Sequence, residues 1–261
     1  MNLDLKNKTA IVCGATQGIG LGVAQELAKE GVNLILVARN KEKLIRCIHS
    51  LKQPQKHSFI CVDFSKPNEL KKELALYFKK HKTIVHILIN NTGGPKSGPI
   101  EKATTSDFIN AFNMHVLCNH ILCSFVVPGM KKLGYGRIIN IISTSVKIPI
   151  TGLGVSNTIR GAVANWSKTM ANELGEFQIT VNNVLPGYTN TGRLTSLFEK
   201  MSSSQKKPIK EIEQNIINNV PLKRIGTVND IANIVTFLAS RKASYISGVN
   251  IPVDGGRTGS L

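Results

Sequence analysis

Apolar residues along this chain follow two alternating rhythms. Short runs rich in Val and Ile occur at TAIVC (9–13), NLILVA (33–38), SFICV (58–62), VHILIN (85–90), GRIINIIS (136–143), QITVNNVL (178–185) and GVNIPV (248–253). Strands that are apolar on both faces belong to a parallel sheet covered by helices on both sides. Helix-period segments lie between them. GIGLGVAQELAKEG stops at Gly31, a natural helix C-terminus, and KPNELKKELALYFKKH carries Pro67 in its first turn, where proline is tolerated. Two longer helical segments are predicted from about 105 to 133 and from about 152 to 174. Strands alternating with helices imply right-handed βαβ units and a Rossmann-type doubly wound α/β sheet of about seven strands, in the order 3-2-1-4-5-6-7. No repeat, low-complexity tract or linker interrupts the pattern, so a single domain over 1–261 is expected. One irregular stretch, roughly 190–220 and containing MSSSQKKP, follows a strand end and is expected to be a mobile substrate lid.

Composition narrows the class. A chain of 261 residues with 42% hydrophobic residues can bury a large core. The N-terminus shows no basic region followed by an apolar core and a cleavage site, and no run of about eighteen apolar residues occurs, so neither a secretory leader nor a membrane span is expected. The five cysteines, Cys13, Cys47, Cys61, Cys118 and Cys123, form no CxxC pair and fall mostly in apolar segments. That pattern fits reduced, buried thiols in a cytoplasmic protein, without a metal site. The formal net charge of +17 admits an acidic partner such as nucleic acid, a membrane surface or an acidic carrier protein. The lysines are spread over helix faces such as KEKLIR and ELKKELALYFKKHK without interleaved aromatics, which favours solvated faces over a nucleic-acid site.

The first strand runs into Cys13-Gly14-Ala15-Thr16-Gln17-Gly18-Ile19-Gly20 and directly into a helix. A Gly-rich turn between strand and helix lets backbone amides approach a pyrophosphate, and the helix N-terminus adds positive potential. Its place after the first strand is what makes the glycine pattern informative. At the end of the second strand, Arg39 stands where an acidic residue would bind the ribose hydroxyls of NAD, with Lys41 and Lys43 nearby. A guanidinium there grips a 2′-phosphate, so NADP(H) is expected over NAD(H); the alternative is an Arg39 that faces solvent.

The spacing Gly-x-x-x-Gly-x-Gly resembles that of the short-chain dehydrogenases/reductases, with Cys13 where that family usually has Thr. The resemblance spans nearly the whole chain and is closest in style to the β-ketoacyl-carrier-protein reductases. Asp63 matches the family's adenine-contacting aspartate. Asn90-Asn91-Thr92-Gly93 resembles the Asn-Asn-Ala-Gly that ends the fourth strand. Pro186-Gly187 with Thr191 resembles the loop that meets the nicotinamide, and Ser247-Gly248 through Gly256 the C-terminal strand and tail. The cofactor residues so implied are Gly14, Thr16, Gln17, Gly18, Ile19, Gly20, Arg39, Asp63, Asn90, Asn91, Gly93, Arg160, Pro186, Gly187 and Thr191. A homo-oligomer, tetramer or dimer, is implied too, with the small-molecule substrate a carbonyl or acyl thioester.

The pattern breaks at the reaction centre. The family polarises a carbonyl with Ser, donates a proton from Tyr, lowers the Tyr pKa with a Lys four residues on, and supports a proton-relay water with Asn. Alignment on Gly136-Arg137-Ile138-Ile139 retains the Ser as Ser143 but places Ser156 at the Tyr, Arg160 at the Lys and His115 at the Asn, with Asn119 one turn further along. No Tyr-x-x-x-Lys exists among Tyr77, Tyr135, Tyr188 and Tyr245. Arg160 keeps a charge able to bind ribose hydroxyls but not the geometry of Lys. His115 is a candidate replacement acid, or else a histidine satisfied within a helix contact. Tyr188, after the Pro-Gly turn, is a further pocket candidate. Three readings follow: an NADP(H)-dependent, 3-oxoacyl-reductase-like oxidoreductase with a reworked centre (Ser143, Ser156, Arg160, His115); a nucleotide-binding pseudoenzyme; and a binder of nucleic acid or another acidic partner.

Overall fold

The strands form where the Val- and Ile-rich runs lie: β1 Thr9–Cys13, β2 Asn33–Ala38, β3 Ser58–Cys61, β4 Ile87–Asn90, β5 Gly136–Ile141, β6 Ile179–Pro186 and β7 Asn250–Val253, in a computed structural model that describes residues 2–51 and 56–260. All pair in parallel, in the order β3-β2-β1-β4-β5-β6-β7. Successive residues of β1 point to opposite layers. Ala10 and Val12 pack in one apolar cluster and Ile11 and Cys13 in the other. The helices are α1 Gly18–Lys29, α2 Lys41–Ser50, α3 Pro67–His81, α4 Thr105–Phe112, α5 Cys118–Leu133, α6 Gly154–Leu174, α7 Gly192–Gln205, α8 Ile209–Asn218 and α9 Val228–Leu238. Helices α1, α2 and α9 cover one face through Val23, Leu27, Leu44, Ile231 and Val235, and α3, α5 and α6 the other through Leu70, Leu74, Leu122, Val126 and Leu174. The strand order reverses between β1 and β4, which opens a crevice at the strands' C-terminal ends.

The long helix expected over 105–133 is continuous but not uniform. Between α4 and α5 the turn Asn113–Leu117 opens to π-helical geometry and carries His115. Turns of this kind are rare and concentrate at functional sites. By length and composition alone the run Thr105–Leu133 is apolar enough to cross a membrane; Cys118, Leu122, Val126 and Met130 bury one side of it in the core.

The stretch 190–220 is not irregular. It forms α7 and α8, whose Leu194, Phe198, Ile212 and Ile216 build a small apolar cluster of their own. Helix-period apolar pairs four residues apart outweigh the weak propensity of the serines. The polar run marks the break between the helices, where Lys206 adopts a left-handed φ of 53° and Pro208 precedes α8.

A row of asparagines crosses the sheet centre. Asn90, Asn140, Asn183 and Asn250 occupy the same register position on β4, β5, β6 and β7. Asn90 Nδ2 donates to Asn140 Oδ1 at 2.8 Å, Asn140 Nδ2 to Asn183 Oδ1 at 3.0 Å and to Ser167 Oγ of α6 at 2.9 Å, and Asn183 Nδ2 to Asn250 Oδ1 at 2.8 Å. This ladder ties β4, β5, β6 and β7 together in one register.

Candidate active site

Where β1 meets α1 the chain makes a turn that side chains would obstruct. Gly14 and Gly18 have φ of 60° and 52°. A Cβ on Gly20 would lie 2.7 Å from the Gly14 carbonyl carbon and 2.8 Å from Asn91 Nδ2. Asn91 braces the turn from β4 by donating to the Cys13 carbonyl at 3.1 Å. Gln17 precedes α1 without capping it, so the first N–H groups of the helix, with Thr16 and Ile19 on either side of Gln17 and Gly18, have no side-chain capping partner. A bare helix N-terminus behind a glycine cradle fits a dinucleotide pyrophosphate. Cys13 is fully buried and its thiol pKa is pushed well up by that burial, so it packs and does not react. All five cysteines are free thiols.

Arg39 and Asp63 meet across the ends of β2 and β3. The Arg39 side chain is 79% exposed, and its Nη1 lies 3.8 Å from Asp63 Oδ2, too far for a close hydrogen bond. The Asp63 carboxylate accepts the Ser65 N–H at 2.9 Å, which with the nearby Arg39 holds its pKa below the usual carboxylate range. The guanidinium is therefore loosely held and free to engage an anion.

At the other end of the crevice the four reaction-centre positions come from three elements. Ser143 follows β5 in extended backbone, and its Oγ accepts the Ser145 N–H at 3.1 Å, capping a short helical turn. Ser156 and Arg160 lie one turn apart on α6, both buried. Arg160 Nη1 donates to the Ile141 carbonyl at 2.9 Å, while its Nε is buried without a partner. Burial, with the charge of Arg193, lowers the Arg160 pKa to about 9. His115 is 2% exposed; one ring nitrogen is held by the Gly93 backbone and Nε2 has no partner. Burial first, then the charges of Arg160 and Arg193, drive its pKa down to about 2. This changes the role expected of His115: at neutral pH the imidazole is uncharged, and its Nε2 is a base without a proton to give. Asn119, one turn on, is also buried.

Other expected residues divide between cleft and scaffold. Asn90 does not face a cofactor; it is buried and bonded to Asn140, because the pleat of β4 turns it toward α6. Gly187 is required where the chain leaves β6, since a Cβ would lie 2.7 Å from the Asp254 backbone, and Pro186 ends the strand before it. Thr191 precedes α7 without a side-chain capping bond, its methyl against Gly18. Tyr188 turns away from the centre; its ring lies under Arg257, with centroid and guanidinium 4.7 Å apart. Sequence reasoning missed Arg193, at the start of α7, whose guanidinium lies against Gly94 just past β4. The signal available was Thr191-Gly192-Arg193, with three residues between it and the Pro186-Gly187 turn.

Comparison with known proteins agrees with this geometry. The family model described as enoyl-(acyl carrier protein) reductase matches residues 14–258. The chain is 31% identical over 256 residues to the 7alpha-hydroxysteroid dehydrogenase of Escherichia coli K12, covering 98% of this chain and 96% of that protein. It is 30% identical over 264 residues to the 3-oxoacyl-(acyl-carrier-protein) reductase FabG of Chlamydia muridarum, covering 98% and 99%. The crystal structure of L-sorbose reductase from Gluconobacter frateurii, complexed with NADPH and L-sorbose, superposes with a TM-score of 0.93 at 28% identity and full coverage of both chains. With its glycine turn, its seven-stranded parallel sheet and these relatives along nearly its whole length, the chain belongs to the short-chain dehydrogenase/reductase family of oxidoreductases.

Proposed function

We propose that this protein is an NADP(H)-dependent oxidoreductase that interconverts a carbonyl and an alcohol on a small molecule, using Ser143, Ser156, Arg160 and His115 where its relatives' family uses Ser, Tyr, Lys and Asn. The observation that carries the cofactor choice is Arg39, loosely held at the far end of a crevice whose near end is the Gly14–Gly20 cradle. The sorbose reductase solved with NADPH supports the same choice. Gly14, Thr16, Gln17, Gly18, Ile19 and Gly20 would hold the pyrophosphate, Arg39 the 2′-phosphate, and Asp63 the adenine. Asn91 and Gly93 would line the nicotinamide side, with Pro186, Gly187 and Thr191 opposite. A bound nicotinamide supplies hydride to a carbonyl carbon.

The remaining work falls to the chain's own residues. Ser143, whose oxygen accepts the Ser145 N–H, keeps its own O–H to donate to the carbonyl and orient it. Arg160, fixed by the Ile141 carbonyl, places a charge beside the developing alkoxide. Neither Ser156 nor the neutral His115 is an acid near neutral pH, so the proton comes from water. The helical hairpin α7–α8 acts as the lid.

A second reading, a nucleotide-binding protein without turnover, is favoured by one observation: the buried centre holds no group that releases a proton near pH 7. Loss of a positioned acid costs about 100- to 10,000-fold in rate. Calorimetric titration with NADPH and NADH at two salt concentrations tests the proposal. NADPH should bind at least about tenfold more tightly, and Arg39→Ala should remove the difference, as expected for a charged hydrogen bond of about 1.5–3 kcal/mol. If neither nucleotide binds, both readings fail.

A further inference from the structure

Three side chains capable of positive charge converge beside the reaction centre with no protein anion among them. Arg193 reaches from the start of α7 across the crevice and lays its guanidinium against Gly94. Gly94 follows Gly93, whose backbone meets the His115 ring, so Arg193 lies on the His115 side of the crevice, and its charge acts on both His115 and Arg160. Among the described residues no carboxylate pairs with Arg193 or Arg160; the ion pairs of the chain lie elsewhere. Burial and then the charge of Arg193 lower the pKa of Arg160, and partial desolvation lowers that of Arg193. Two polar atoms of the cluster, Arg160 Nε and His115 Nε2, are buried with no hydrogen-bond partner. Arg193 is exposed to the crevice, whereas Arg160 is a buried cation without an anion, and the unpartnered nitrogens of Arg160 and His115 are expensive in an empty site and make sense when a ligand completes it.

The cofactor's own phosphates do not account for the cluster. Their cradle is the Gly14–Gly20 turn and Arg39, and the distance from cradle to cluster follows the strand end: Asn91 touches Gly14, Gly93 touches His115, and Gly94 touches Arg193. The cluster thus stands on the reaction-centre side. One open guanidinium, an Arg160 already committed to a backbone carbonyl and an uncharged imidazole amount to little more than one available charge. That matches a planar monoanion, which an arginine fork grips through two parallel hydrogen bonds, better than a dianionic phosphate.

We propose that Arg193, backed by Arg160, is a specificity residue that binds a carboxylate on the substrate, so that the protein acts on oxo acids or the corresponding hydroxy acids. The proposal rests on the oxidoreductase reading above and narrows its substrate class. Gly94 belongs to the same device: a Cβ at this position would occupy the place of the guanidinium end, so a glycine is needed for Arg193 to lie across the cleft.

The test is calorimetric. Protein saturated with NADP+ is titrated with 2-oxobutanoate, 3-oxobutanoate and 4-oxopentanoate and with the methyl ester of each. At least one acid should bind at least tenfold more tightly than its own ester. Arg193→Leu should bring that ratio to within threefold while NADPH affinity stays within twofold of wild type. Gly94→Ala should lower the ratio as well, although it removes no charge; only the flexible end of Arg193 has to move, so the fold tolerates it. The proposal is overturned if no acid binds, if acids and esters bind alike, or if Arg193→Leu keeps the ratio. It is also overturned if that variant loses NADPH instead, which would make the guanidinium a cofactor clamp. Wild-type protein that binds no nucleotide would sink the oxidoreductase reading alone; the acid-to-ester ratio measured without nucleotide would still decide the carboxylate site.

Discussion

Replacing Asn140 with Leu tests whether the asparagine row is a structural necessity or an ornament of the sheet. Asn140 is fully buried and makes three side-chain hydrogen bonds, accepting from Asn90 and donating to Ser167 and Asn183. At about 1 kcal/mol net for each, their loss costs about 3 kcal/mol. Asn183 Oδ1 and Ser167 Oγ keep each other as partners at 2.8 Å, so neither is stranded. Asn90 is different: its Oδ1 already lacks a partner, and losing Asn140 leaves its Nδ2 only the weak acceptor Cys123 Sγ, which costs about 1–3 kcal/mol more. Leucine returns about 1–2 kcal/mol through apolar burial. The net expectation for Asn140→Leu is a loss of about 2–5 kcal/mol, or roughly 4–20 °C in Tm for a chain of this size. Urea unfolding followed by circular dichroism, with the fluorescence of the sole tryptophan Trp166 as a second probe, measures it. The double variant Asn90→Leu/Asn140→Leu removes the stranded amide along with its partner, so it should be more stable than the two single losses added together, by about 1 kcal/mol or more. A single variant within about 2 °C of wild type, or strictly additive singles, would refute the ladder as a source of stability.

Two further outcomes follow from the crevice. Gly20→Ala forces a Cβ against the Gly14 backbone, so the phosphate turn must open; NADPH binding, followed by nucleotide fluorescence, should weaken at least about tenfold while far-UV dichroism is kept, and an unchanged affinity would mean that the turn does not hold the cofactor. His115 has a folded pKa lowered to about 2 from an ordinary 6.5, so the unfolded chain binds the extra proton between those values, and its contribution to stability is full above about pH 6.5 and is lost as pH falls toward 2. The slope is at most about 1.4 kcal/mol per pH unit, so between pH 6 and 4 wild type should lose about 2 kcal/mol more than His115→Gln in urea unfolding; equal losses would show that burial does not suppress the imidazole charge.

The fold was legible because its signal is redundant. Each strand is apolar on both faces, each connecting helix carries its own period, and a parallel sheet with short crossovers leaves few orders available. The cradle was legible for the same reason, since Gly14, Gly18 and Gly20 sit at a strand-to-helix junction that has few other uses. What failed to show were properties of side-chain direction and environment. Asn90 reads as a cofactor residue in the motif, and only the pleat of β4 turns it inward to Asn140. The serine and lysine run after Met201 hid two helices whose apolar contacts are with each other. Arg193 lies far from Gly94 in the chain, so their contact is written in the closure of the crevice and not in any spacing. His115 was visible as a titratable group, but its loss of charge depends on burial and on two arginines brought from other elements.

On the proposed reading, the replacements at 115, 156 and 160 are better understood as one change than as three defects. A tyrosine–lysine pair works because a cation lowers the pKa of a phenol that then gives up its proton. With Ser at 156 no phenol is present for a cation to tune, and a titratable lysine there would lose its purpose. Arg160 instead holds its charge across the neutral range even when burial lowers its pKa to about 9. That charge is anchored to the Ile141 carbonyl, and it is one reason why the imidazole of His115 stays neutral. On the proposed reading the centre therefore stabilises a developing alkoxide by fixed charge and leaves proton delivery to solvent. Such a site gains nothing from an acid poised near pH 7, and its turnover should be limited by how well water reaches the oxygen after hydride arrives. On the same reading, a centre without an acid beside the open Arg193 favours substrates that bring their own negative charge, because Arg193 can pair with it while Arg160 stays with the developing alkoxide.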